Sequence, residues 1–164
     1  MTITASITTA REFWEQVAQP DYRDFVADTA DLRKAIHAGS SLYHLYEWVF
    51  QQFESMPSRV FSCTSSSDLR AHLIANECPD FGLLRDLADA NKHFRVDRPS
   101  SQIATATQVV TRSVGWGKAR WGVDKWGSPP GVVVEIDQNT LRHFSAIAEN
   151  VYNMWDGLFQ KHGW

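Results

Sequence analysis

The densest run of chemistry-capable side chains lies at residues 83–94, LLRDLADANKHF. Placed on a helix at about 100° per residue, Leu83, Leu84, Leu87, Ala88 and Phe94 gather on one side. That is the stripe of an amphipathic helix facing a core. Arg85, Asp89 and Lys92 fall opposite, with Asp86 and His93 at the flank. Asn91 lands inside the apolar stripe. A buried amide without partners costs about 1–3 kcal/mol. Asn91 is therefore expected either to tie this helix to a neighbour's backbone or to line a polar pocket shared with His93.

A second chemistry sits in WGKARWGVDKWG, residues 116–127. Trp116, Trp121 and Trp126 alternate there with Lys118, Arg120 and Lys125. Aromatic faces stack bases and cations meet phosphates, which is what single-stranded nucleic acid needs. The plainer alternative is a hydrophobic lid over the bundle, since tryptophan is highly buried on average. His37 and His44 are seven apart and share one helix face, either as solvated or core-edge residues or as part of a binding site. His44 and Glu47 have the three-residue offset of helix-bundle metal sites, but in the reverse of the Glu-x-x-His order. No second matched pair accompanies them, so no metal and no cofactor are expected. The serines at 65–67 lack a nucleophile elbow, and no glycine-rich phosphate loop is present.

The elements that must position these groups are mostly helices. Thr8 or Thr9 can cap a helix carrying Phe13, Trp14 and Val17, which Pro20 ends or restarts. The longest helical signal spans residues 31–54. There Leu32, Ile36, Gly39, Tyr43, Tyr46, Phe50 and Phe53 recur at steps of four and three. Gly39 costs a helix about 1 kcal/mol against alanine, which a close helix–helix crossing would explain. A serine at 65–67 caps a helix to about residue 76, and Cys78-Pro79-Asp80 marks the boundary before the next helix, which runs to about residue 95. Residues 103–114 alternate weakly in Thr and Val, and 132–136 read as a strand. Residues 137–140 cap a last helix striped by Leu141, Phe144, Ile147, Val151, Met154 and Leu158, with a frayed end at Gly163-Trp164. The expected architecture is one mainly α domain over residues 1–164. A helical bundle occupies 8–95 and 138–160, and a small antiparallel β, Trp-rich insertion (102–137) precedes the C-terminal helix.

Composition narrows the partners. A net charge of −3 gives no global attraction to nucleic acid or anionic membrane, so any RNA contact must be a local patch. No apolar run approaches the roughly 20 residues of a membrane span, and the first residues do not read as a secretion signal. Cys63 and Cys78 are not in metal spacing and are expected as free thiols in a reducing cytoplasm. The long helix carries Leu45 and Trp48 on its second side, and the last helix carries Trp155 beside its stripe. Apolar surface on both sides of a small bundle points to a homodimer with a twofold interface.

Around residues 85–93 the chain resembles the HEPN superfamily, helical-bundle proteins that include metal-independent ribonucleases. In that family an Arg followed by a polar residue, with a His further along the helix, forms the active motif, and a dimer brings two copies together. Here Arg85-Asp86 and His93 match in residue type, at a wider spacing than the family's. The resemblance implies RNA cleavage by 2′-hydroxyl attack, with His93 as general acid/base and Arg85 stabilising the phosphorane charge. Lys92 would assist and Asn91 would orient. The leading expectation is thus an RNA-binding protein or metal-independent ribonuclease. A non-enzymatic homodimeric interaction protein is the alternative, and a metal-binding bundle the third reading. Without that chemistry, Arg85 is an i,i+4 ion-pair partner of Asp89.

Overall fold

The structure, a computed structural model, describes residues 6–93, 96–113, 130–137 and 140–164. It is mainly helical, with a three-stranded antiparallel sheet immediately before the C-terminal helix. Thr9 opens the first helix with a capping box. Its hydroxyl accepts from the Glu12 backbone N–H (3.1 Å), and Glu12 Oε2 accepts from the Thr9 N–H (3.0 Å). Helix α1 (Ala10–Phe13) passes through a π turn (Trp14–Ala18) into α2 (Gln19–Ala27). Pro20 falls in the first turn of α2, just after the π-turn bond from the Gln19 N–H to the Trp14 carbonyl.

Helix α3 (Leu32–Phe53) is the centre of the molecule. Asp31 caps it, accepting from the Lys34 N–H at 3.1 Å. Helices α2, α4 (Ser66–His72), α5 (Phe81–His93) and α6 (Phe144–His162) all pack against it. The close crossing expected at Gly39 is present. A Cβ there would stand 2.9 Å from Leu87 Cδ2 of α5 and 3.2 Å from Phe144 Cζ of α6. The surrounding helices also cover the second side of α3. Leu45 is buried, and Trp48 stacks on Phe13 at 5.0 Å. Trp155 is buried as well, donating from Nε1 to the Leu42 carbonyl at 2.8 Å. Leu45 and Trp155 therefore offer no open apolar surface to a second copy.

Strands β1 (Val109–Arg112), β2 (Gly131–Glu135) and β3 (Leu141–His143) lie in the order β1-β2-β3. Val110 faces Val133, and Val134 faces Arg142. Val132, Val133 and Val134 are all buried, as a central strand covered on both faces requires. The Val132 N–H donates to the Thr29 carbonyl (2.8 Å) and the Thr111 hydroxyl to the Ala30 carbonyl (2.9 Å), fastening the sheet to the turn between α2 and α3. The strand expected over 103–114 is shorter, because Thr105 caps a 3₁₀ turn at Ala106–Gln108. The last helix also starts later than expected. Leu141 does not join its stripe, because residues 141–143 pair with β2 as an edge strand. Both cysteines are free. Among the described residues no helix is long and apolar enough to cross a membrane.

Contrary to the expected fraying, Trp164 is buried. Its indole N–H donates to the Arg59 carbonyl at 3.0 Å, and its ring meets Phe61, Trp155, Phe159 and His162. A terminus stays ordered when tied down in this way. Trp164→Ala is expected to cost about 3 kcal/mol, as for other core tryptophans, read as a lowered urea midpoint. An unchanged midpoint would show a frayed end.

His162 stacks on Trp164 at 5.0 Å, and its Nε2 is buried without a hydrogen-bond partner. Burial first, then Lys161 and Arg59, hold its imidazole below the ordinary histidine value against the opposing pull of Glu77. The folded state therefore favours the neutral ring. That contribution is fully present above the unfolded value, about 6.5, and is lost as pH falls through the lowered folded value. His162→Phe should flatten the fall in melting temperature below about pH 6.5. An acid limb identical to wild type would remove the assignment.

Candidate functional site

Helix α5 carries the polar residues singled out in the sequence, and it is anchored at its start and at its middle. At its start Asp80 accepts from both terminal nitrogens of Arg142 (Nη2–Oδ2 3.0 Å) and from Asn150 Nδ2 (2.7 Å). These bonds join α5 to β3 and α6. Burial alone would raise the Asp80 carboxyl, but the Arg142 and Asn150 hydrogen bonds outweigh it and hold the group below its ordinary value.

In the middle of the helix the anchor is Asp86, whose side chain is 1% exposed. Its Oδ1 accepts from Arg85 Nε (2.9 Å) and Arg98 Nη1 (2.7 Å), and its Oδ2 from the Gln102 backbone N–H (2.7 Å). Arg85 Nη2 also lies 2.9 Å from Oδ1. A buried carboxylate persists when it is paired and hydrogen-bonded in this way. Arg98 and the Gln102 backbone donor thus fasten the segment after α5 back onto the helix, while Arg85 pairs with the same carboxylate from within α5. The second terminal nitrogen of Arg98 binds Asp89. One turn beyond Asp89 comes His93, exposed at the helix end.

Between the end of α5 and this segment lies a cleft of about 520 Å³, lined among the described residues by Asp89, His93, Val96, Asp97 and Arg98. It holds an imidazole, a guanidinium and carboxylates, so it can move a proton and hold a charged ligand. Arg85 is not among these residues. It is 17% exposed and committed to Asp86. His93 is eight positions further along, with seven residues between them, about 12 Å along a helix. The structure therefore brings His93 together with Arg98 rather than with Arg85. Lys92 and Asn91 are exposed in the last turn. Asn91 is exposed although its neighbour Ala90 is fully buried, so the buried stripe ends at Ala90. The buried polar residue of the helix is Asp86 instead.

His37 and His44 are exposed on α3 and do not line the cleft. His44 Nδ1 lies 4.0 Å from Glu47 Oε2. Seven residues apart is about 10 Å along the helix, which keeps the two histidine backbones well separated. Among the described residues no group of three His, Cys, Asp or Glu side chains is placed to hold a metal ion. Trp116, Trp121, Trp126, Lys118 and Arg120 lie outside the described residues.

The sequence reading missed Asp86, Arg98 and Gln102 as partners. Asp86 had a legible signal, for it falls three residues after Leu83 and four before Ala90, inside the buried stripe. Arg98 had none. It sits in a loop, and only the return of the chain onto α5 gives it a role. No known protein family, curated protein or solved structure matches this chain.

Removing the buried anchor should loosen the cleft. Asp86→Ala leaves Arg85, Arg98 and the Gln102 N–H without their acceptor, and is expected to cost about 2–4 kcal/mol. Amide hydrogen exchange should rise in residues 96–102. Unchanged protection there would show that Asp86 does not hold the segment.

Proposed function

We propose that the chain binds single-stranded RNA and cleaves it at the cleft at the end of α5. The observation that carries this reading is the placement of His93 and Arg98 on one open cleft, with Arg98 held from behind by the buried Asp86. His93 takes the proton of the 2′-hydroxyl as the 2′-oxygen bonds to phosphorus. The bond to the 5′-oxygen breaks, and the protonated ring returns a proton to that leaving oxygen. Arg98, in place of Arg85, stabilises the charge on the phosphorane oxygens. Exposed Lys92 adds positive charge near the helix end. In this reading Trp121 and its neighbouring cations supply stacking for the strand.

An end-labelled RNA on a gel tests it. Cleavage is expected to leave a 2′,3′-cyclic phosphate and a 5′-hydroxyl, and to persist in EDTA because no step is routed through a metal. His93→Ala should lower the rate by about 10²–10⁴-fold with binding nearly intact. Trp121→Ala should weaken binding by about 1–3 kcal/mol. Wild-type protein that leaves RNA uncut, with no affinity beyond what moderate salt removes, would end the proposal.

A further inference from the structure

Arg98 meets two carboxylates in different surroundings. Asp86, reached through Nη1, is 1% exposed and is shared with Arg85 and the Gln102 backbone. Asp89, reached through the other terminal nitrogen, is 28% exposed and lines the cleft. The first contact lies behind the guanidinium and is part of the fold. The second faces the space a ligand would enter. This ion pair is only partly buried, with Arg98 33% and Asp89 28% exposed, so water reaches both partners and weakens their attraction, and the Asp89 contact can be exchanged for another oxyanion at modest cost. Guanidinium groups accept phosphate or carboxylate oxygens in the same planar geometry.

Helical spacing places the exchange beside the proton-transfer group. Asp89 and His93 are four residues apart, neighbours on one face of α5. An oxyanion that took over the Asp89 side of Arg98 would stand next to the imidazole. Asp97 lines the same cleft. With Asp89 in place, the two carboxylates oppose a bare anion, and release of Asp89 from the guanidinium is the step that opens the site.

We infer that Asp89 is a displaceable internal occupant of an oxyanion subsite at Arg98, and that it sets how readily the cleft takes a phosphate group. This rests on the reading of the cleft as an RNA phosphate site, and adds to it the residue that competes with the substrate.

The test uses the full chain and inorganic phosphate, followed by the His93 ring signals in NMR spectra. Asp89→Asn should tighten phosphate binding by about 2–5-fold, the affinity equivalent of one solvent-accessible ion pair. Asp89→Ser serves as a second variant should the amide refill the site, and Arg98→Gln should abolish the response. Phosphate affinity that is unchanged or weaker in both Asp89 variants would overturn the inference, whether or not RNA is cut. Tighter phosphate binding in a protein that cuts no RNA would uphold the subsite and remove the ribonuclease reading.

Discussion

Three helices meet where Gly39 has no side chain. A Cβ on Gly39 would meet Leu87 Cδ2 of α5 at 2.9 Å, so that side chain would have to shift, and Phe144 Cζ of α6 at a tight 3.2 Å. That contact brings α5 and α6 against the same turn of the central helix. Phe144 then meets Phe25 of α2 edge-on at 5.0 Å, so the fourth helix is drawn into the same junction. Filling the site would push against Leu87 and Phe144, both nearly fully buried, and close-packed interiors give way little. The helical penalty of a glycine is accepted here because the approach of two neighbours outweighs it.

Polar side chains then decide what the packed helices present to solvent. Asp80 and Asp86 lie at the start and middle of α5, and each carboxylate is matched by arginine from a distant part of the chain. A buried carboxylate is costly without partners and restrictive with them. Asp80 thereby fixes α5 against β3 and α6. Asp86 folds the segment beyond α5 back over the helix and holds Arg98 on the cleft that His93 also lines. The cleft is the space left between a helix end and the loop that its own buried carboxylate holds.

The same logic of specific polar anchoring operates at the C-terminal corner. Arg59 donates to the His162 carbonyl at 2.7 Å, and the Trp164 indole donates back to the Arg59 carbonyl. Phe61 lies between His72, stacked at 4.2 Å, and His162. To reach this position Phe61 and Ser62 adopt left-handed backbone angles, φ 56° and 58°. Such angles cost non-glycine residues and persist where surrounding contacts determine them.

The sequence alone determined the helical periodicities, a cap at 8–9 and another at 65–67, and the strand beginning at Val132, because each depends on residues within a few positions of one another. Gly39 announced a close crossing without naming the helices that make it, and residues 83–94 stood out as the polar helix. Three features were decided only by tertiary structure. Leu141–His143 became a strand through pairing with β2, although a three-residue edge strand has no periodicity to detect. Trp164 was buried by a backbone carbonyl 105 residues away in sequence. Arg98, rather than Arg85, came to share a cleft with His93, because Asp86 pairs with both arginines and only the loop residue lines that cleft. Local patterns specify elements. Which charge a buried carboxylate captures depends on chain segments that meet only once the elements have packed.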